Sequence, residues 1–195
     1  KSSDTDNDNK KEKCKAKFKN ISSDVLARLE PSLQSQTITG KSSEITFFRD
    51  FHFQNIPHLL VYGLGDEKKL THEYIRSSLA SVYSATKTYK FKQLDIRFDS
   101  IPATQSQSDA FFKACLEGLH LAAYNHDEFF SSNTKGEKSE SNPEIIHLLT
   151  KTSSSKQKLL EQSQIICDGV NFARQLGDTP GNLMTPEILA QRAVS

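Results

Sequence analysis

Apolar residues change their spacing repeatedly along this chain, and the changes mark out strands alternating with helices. Residues 13–19 alternate lysine with Cys14, Ala16 and Phe18, a period of two that predicts a half-buried strand with a charged outer face at a sheet edge. Ser22, Ser23 and Asp24 offer caps for a short helix carrying Val25, Leu26 and Leu29, which is predicted to break before Pro31. Residues 44–53, rich in β-branched and aromatic side chains, read as a strand, and residues 58–63 as a buried central strand closed by Gly63. Thr71 caps a helix with its stripe at Ile75, Leu79, Val82 and Tyr83, after which Leu94, Ile96 and Phe98 alternate as a strand. A polar loop over 102–108 leads into a helix whose inward residues are Phe111, Ala114, Cys115, Leu119 and Ala122. Beyond a low-complexity loop at 131–142, residues 144–150 carry Ile145, Ile146, Leu148 and Leu149 and read as another core strand.

The longest periodic stretch comes last. Ser153 to Ser155 cap a helix in which Leu159, Ser163, Ile166, Val170, Ala173 and Leu176 keep steps of three and four, predicting one apolar stripe that needs a partner surface. The helix is expected to stop near Gly177, where glycine tolerates a left-handed end, with a turn over 178–182. Thr185 then caps a second helix, Pro186 sits where its missing N–H costs nothing, and Glu187 lies in the first turn where the macrodipole favours it. Strands alternating with helices imply an α/β fold, a layered sandwich with a mixed sheet between helices. The expected organisation is a disordered polar tail at 1–12, an α/β domain at 13–150, and a connecting helix at 156–195 that opens into a truncated further domain.

Charge narrows the partners. With 25 basic and 24 acidic residues the net charge is +1, which gives no global attraction to nucleic acid or anionic membrane, and no apolar run approaches the roughly 20 residues of a membrane span. A soluble, cytoplasmic setting is expected. The three cysteines, Cys14, Cys115 and Cys167, are odd in number and widely spaced, which argues against a disulfide scaffold. Asp4, Asp6 and Asp8 begin like a calcium loop, yet Asn9 stands where its glycine is needed and Lys15 where its glutamate is needed. Lys10, Lys11, Lys13, Lys15, Lys17 and Lys19 offer the alternative of a basic patch for a phosphate backbone, without interleaved aromatic platforms beyond Phe18. Gly63-Leu64-Gly65 opens like a phosphate-cradling loop, but Lys68 replaces the third glycine and Asp66 and Glu67 would repel an anion. A tight strand-to-helix turn is the plainer reading. His120 and His126 do not share a helix face, and His52, His58, His72 and His147 are isolated in sequence. No Gly-x-Ser-x-Gly motif appears, and Cys115 has no electropositive neighbour beyond Lys113. No catalytic and no metal-binding residue is therefore assigned to this chain.

One segment carries a family resemblance. The order Ala173-Arg174-x-Leu176, a turn with Thr179, Pro180 and Asn182, then Leu183-x-Thr185-Pro186-Glu187-x-Leu189-Ala190-x-x-Ala193 resembles the leucyl (cytosol) aminopeptidases at the junction between their N-terminal and catalytic domains. Asp178 stands where that family commonly has Asn, and Gly181 where it commonly has Ala; both remain good turn formers. Residues 59–71 and the Glu117-Gly118…Tyr124 segment also resemble the family's N-terminal domain. The resemblance implies a macro-domain-like sandwich of non-catalytic character in an enzyme that removes N-terminal residues from peptides. It implies two divalent ions, zinc, manganese or magnesium, held by a catalytic domain absent from this chain, with none bound here, and assembly as a homo-hexamer. The residues it assigns to the interdomain junction are Arg174, Asp178, Thr179, Pro180, Gly181, Asn182, Thr185 and Pro186. Two alternatives of other classes remain, a DNA-binding module using residues 10–19 and an ADP-ribose-type site at Gly63 to Gly65.

Overall fold

The computed structural model describes residues 16–53, 55–102, 104–125, 143–151 and 153–194. The expected tail at 1–12 and loop at 131–142 lie outside the described residues. Contacts divide the chain into two compact units, Lys1–Asp66 and Glu67–Ser195.

In the first unit, helix α1 (Ser23–Gln34) buries Val25 and Leu29. It runs through Pro31 rather than breaking before it. Pro31 removes the bond to the carbonyl of Ala27, and both residues are exposed, so water can satisfy that carbonyl. Strand β1 (Ile45–Phe48) pairs antiparallel with β2 (Leu59–Tyr62), Phe47 opposite Leu60. The first strand is shorter than its composition predicts, because Asp50 and His52 adopt φ of 58° and 40° and turn the chain. That turn lets Phe51 join Val25, Leu29 and Ile38 in the core. β2 is half-buried along its length rather than a fully buried central strand, since among the described strands only β1 pairs with it. The strand expected over 13–19 is not formed by its described part. Residues 16–19 make no ladder, and Ala16 and Phe18 pack directly on the core instead.

The loop before β1 is held by Glu44. Its carboxylate accepts from the backbone N–H groups of Thr39 (3.0 Å) and Gly40 (2.7 Å) and from the Thr39 hydroxyl (3.0 Å). Burial raises the Glu44 pKa, but the hydrogen bonds from Thr39, Gly40 and Lys41 together outweigh it and leave it below the ordinary value. A lowered folded value means the contribution is fully present above the unfolded carboxyl range and is lost as pH falls through the folded pKa. Glu44→Gln is therefore expected to destabilise this unit by about 1 kcal/mol at pH 7 and to flatten its stability between about pH 5 and pH 3. Urea midpoints measured across that range check it, and parallel wild-type and variant curves would refute it.

The second unit begins with a 3₁₀ turn (Glu67–Lys69) and helix α2 (His72–Thr88), capped as expected by Thr71, whose side chain accepts from the Tyr74 N–H. Strand β3 (Gln93–Arg97) runs into a second 3₁₀ turn, Phe98–Ser100, which buries Phe98. Helix α3 (Gln105–Ala122) starts earlier than the polar composition predicts. The Gln107 side chain accepts from the Thr104 N–H (3.2 Å) and hydroxyl (2.9 Å), a capping arrangement hidden within what reads as loop. Phe111, Ala114, Cys115 and Leu119 are buried as expected. Strand β4 (Ile145–Leu149) pairs parallel with β3, Asp95 opposite His147. Its alternation leaves Ile145 and Leu149 nearly half exposed, so only Ile146 and Leu148 of that predicted core strand face inward. The long helix α4 (Ser154–Asp178) and the short α5 (Pro186–Val194) close the unit. The fold is α/β, with antiparallel and parallel pairing divided between two two-stranded ladders among the described residues rather than joined in one sheet.

Helix α3 is the organising element here, contacting both α2 and α4. On the α2 side Gly118 allows the approach, since a Cβ there would lie 2.3 Å from the Arg76 carbonyl oxygen. Beside it, Glu117, 11% exposed, accepts from Arg76 Nε (2.9 Å) and Nη2 (2.6 Å). The hydrogen bonds it donates to Glu117 hold the Arg76 guanidinium above its ordinary pKa although burial acts against them.

Candidate functional site: the end of the long helix

The junction residues lie where α4 ends and turns into α5. Ser153 caps α4 by accepting from the Lys156 N–H, and Lys156 Nζ lies 5.2 Å and 5.4 Å from the ring centres of Phe98 and Phe112, fixing the helix start. From there α4 meets α3 through Ser163 and Cys167, 2% and 0% exposed. The buried line keeps Ser163 of the expected stripe, with Leu159 and Leu176 half-buried, but adds Cys167 and leaves the rest of the stripe exposed. Small side chains at steps of four let the helices approach closely, while Ile166 (46% exposed) and Val170 (39%), at the margin of that line, stay partly uncovered.

The far end is tied by polar contacts. His120 Nε2 lies 2.9 Å from Asp168 Oδ1. Arg174 Nη1 donates to the Leu121 carbonyl (3.1 Å) near the end of α3, and its guanidinium lies 5.8 Å from the Tyr124 ring centre. The Tyr124 hydroxyl donates in turn to Asp178 Oδ2 (2.8 Å). Arg174 and Asp178 are thus brought together through Tyr124. The helix then stops, but without a left-handed glycine. Positive φ among glycines is confined to Gly40 and Gly65 within the described residues, Gly177 stays helical, and extended Thr179 forms the cap. Buried Thr179 donates its hydroxyl to the Gln175 carbonyl (2.6 Å). Pro180 supplies a carbonyl to the N–H groups of Leu183 (2.8 Å) and Met184 (2.9 Å), with Gly181 and Asn182 exposed in that turn. Thr185 Oγ1 accepts from the Ile188 N–H (3.3 Å), capping α5, of which Pro186 is the first residue.

Sequence spacing gave no signal for the Tyr124–Asp178 pair or for the Arg76–Glu117 pair, whose members lie 54 and 41 positions apart. The other candidate chemistries have structural explanations. The N–H of Gly63 donates to Glu44 and that of Gly65 to Gly40, and a Cβ on Gly63 would lie 2.0 Å from the Lys41 carbonyl oxygen. These glycines therefore serve backbone packing, and their N–H groups are not free to cradle a phosphate. Burial pushes the Cys115 thiol up to about 12 and, with the charges of Glu117 and Asp168, also raises Cys167, so neither is a ready nucleophile. His147 lies 3.0 Å from Asp95, His58 accepts from the Asp50 N–H, and His72 packs edge-on against Phe111. His126 and residues 10–15 of the lysine run lie outside the described residues. Among the described residues no group of three or more His, Cys, Asp or Glu could hold a metal ion, and no helix is long and apolar enough to cross a membrane.

Residues 7–133 match the model of the cytosol aminopeptidase family, N-terminal domain. The chain belongs to the cytosol aminopeptidase family. A probable cytosol aminopeptidase of Bdellovibrio bacteriovorus is 41% identical over 174 residues, 88% of this chain and 34% of that protein. One from a Cyanothece strain is 28% identical, over 85% of this chain and 32% of that protein. A tomato leucine aminopeptidase variant has a similar fold, with a TM-score of 0.68 at 21% identity over 88% of this chain and 32% of that one. A bottromycin maturation enzyme in complex with Mn also shares the fold, with a TM-score of 0.62 at 17% identity, covering 82% of this chain and 31% of that one. The chain therefore spans about a third of the length of the relatives it matches.

Proposed function

We propose that this chain is the non-catalytic N-terminal part of a metal-dependent leucyl aminopeptidase that removes N-terminal residues from peptides in the cytoplasm. The observation that carries the reading is a family match that ends at residue 133 in a chain spanning 34% of a relative. In this reading residues 13–150 form the assembly and regulatory domain, of macro-like layered architecture, and residues 156–195 connect it to the catalytic part. Arg174, Asp178, Thr179, Pro180, Gly181, Asn182, Thr185 and Pro186 set the direction in which that connection leaves. The whole enzyme carries two divalent ions, zinc, manganese or magnesium, and assembles as a hexamer. The described residues here offer no ligand set for those ions, so no chemical step is assigned to them. What they supply is position: the α3–α4 clamp through Arg174, Tyr124 and Asp178 fixes where the turn begins.

The purified 195-residue chain is expected to show no hydrolysis of a leucyl amide above background, with or without added manganese. Metal-dependent turnover by this chain, removed by a chelator, would overturn the assignment.

A further inference from the structure

Two of the three helical glycines described in the second unit stand in opposite circumstances, the third, Gly177, being an open position in the last turn of α4. At Gly118 the missing Cβ is explained by a neighbour, the Arg76 backbone 2.3 Å from where it would stand. At Gly169, in the middle of α4, nothing lies within 4 Å of the same position. A glycine inside a helix weakens it relative to alanine, because it gives up more backbone freedom on folding. Among the described residues nothing approaches Gly169 closely enough to offset that loss. Gly169 is centred between Ile165 (71% exposed) and Phe172 (43% exposed), at steps of four and three that put all three on one helix face. At about 100° per residue, that face points away from the Ser163–Cys167 line packed on α3. Exposed Ile166 and Val170 flank the Ser163–Cys167 line, so α4 carries uncovered apolar side chains on two separate faces, with polar Glu161, Gln164 and Asp168 between Cys167 and Ile165 around the helix.

We infer that a backbone element of the catalytic part crosses α4 at Gly169, with Ile165 and Phe172 packed on either side of the crossing. The inference rests on the connecting role proposed above and specifies its contact. The occupant follows from the comparisons. α4 lies beyond residue 133, where the N-terminal domain match ends, yet the 174-residue alignment to the Bdellovibrio relative must extend past that point. The matched part of such relatives is their N-terminal domain and about a third of their length, so the remainder would be joined covalently to it and held at high effective concentration beside this face.

The test compares Gly169→Ala and Gly169→Leu in two contexts, this chain and a longer polypeptide in which it continues into the catalytic part of the Bdellovibrio relative. In the 195-residue chain Gly169→Ala should raise Tm by about 2–4 °C, because the Cβ position is open and alanine is the better helix former. In the longer polypeptide the same change should lower Tm, Gly169→Leu more so, and amide exchange across residues 160–176 should rise at least tenfold over the unsubstituted protein. If Gly169→Ala stabilises both, or destabilises the short chain, no crossing occurs there and the inference is wrong. If residues 160–176 exchange equally fast in both unsubstituted contexts, the connecting-helix reading itself fails, a distinct outcome. If the short chain dimerises in sedimentation and Gly169→Leu makes it monomeric, the occupant is a second copy, and the assignment to the catalytic part is overturned.

Discussion

Gly118→Ala is expected to destabilise the Glu67–Ser195 unit by about 3 kcal/mol, lowering its thermal midpoint by roughly 10 °C. An added methyl normally stabilises a helix by about 1 kcal/mol, so the sign is set by packing rather than propensity. The new Cβ would stand 2.3 Å from the Arg76 carbonyl oxygen, 3.1 Å from its carbonyl carbon and 3.2 Å from its Cα. All three are backbone atoms of α2, which no side-chain rotation can clear. Relief requires α2 and α3 to move apart, and that loosens the packing of Ile75, Leu79 and Tyr83 as well as Phe111 and Cys115, all of them buried. Thermal melts followed by circular dichroism measure the loss. A Tm equal to or above that of the unsubstituted chain would mean the two helices do not meet as described.

Glu117→Ala is expected to cost about 2–4 kcal/mol, the second large effect. Breaking a buried ion pair typically costs about 3–5 kcal/mol, and the lower range reflects an Arg76 side chain that is 34% exposed and can recover some hydration. The loss arises from what remains: a guanidinium that had two bonds to one carboxylate oxygen and keeps only Glu73, which is 71% exposed. Lys113, 3.8 Å from the other carboxylate oxygen, loses its partner too but stays at the surface. The diagnostic comparison is the double replacement Arg76→Met with Glu117→Leu. Removing both charges leaves no orphan, so the pair should recover most of the loss. Additive costs in that cycle would show that Glu117 acts through packing alone.

Much of the fold was legible locally. The helix beginning at Thr71, its stripe at Ile75, Leu79, Val82 and Tyr83, and the inward face of Phe111, Cys115 and Leu119 follow from periodicity and capping, which depend on near neighbours in sequence. The Thr185-Pro186-Glu187 start of the last helix is of the same kind. Element ends were less legible. The 44–53 strand shortens because Phe51 gains more from the core than from a ladder, and α1 passes Pro31 because the freed carbonyl faces water. The motif at 173–193 was enough to point to the family, which the match over residues 7–133 establishes independently.

The sequence by itself determined which segments are helical, where most of them start, and which residues are apolar, because hydrogen bonds four residues apart and side-chain capping are settled within a turn or two of chain. It did not determine which apolar face is covered. On α4 the expected stripe ran through Leu159, Ser163, Ile166, Val170, Ala173 and Leu176, yet of these only Ser163 is fully buried, joined by Cys167, while Ile166, Val170 and Ala173 stay exposed. Only the tertiary structure decided this, because close approach of two helices depends on the shape of both, and small residues on one admit the ridge of the other. The pairings of Arg76 with Glu117 and Tyr124 with Asp178 were decided at the same level, each joining residues that meet only after the helices have packed.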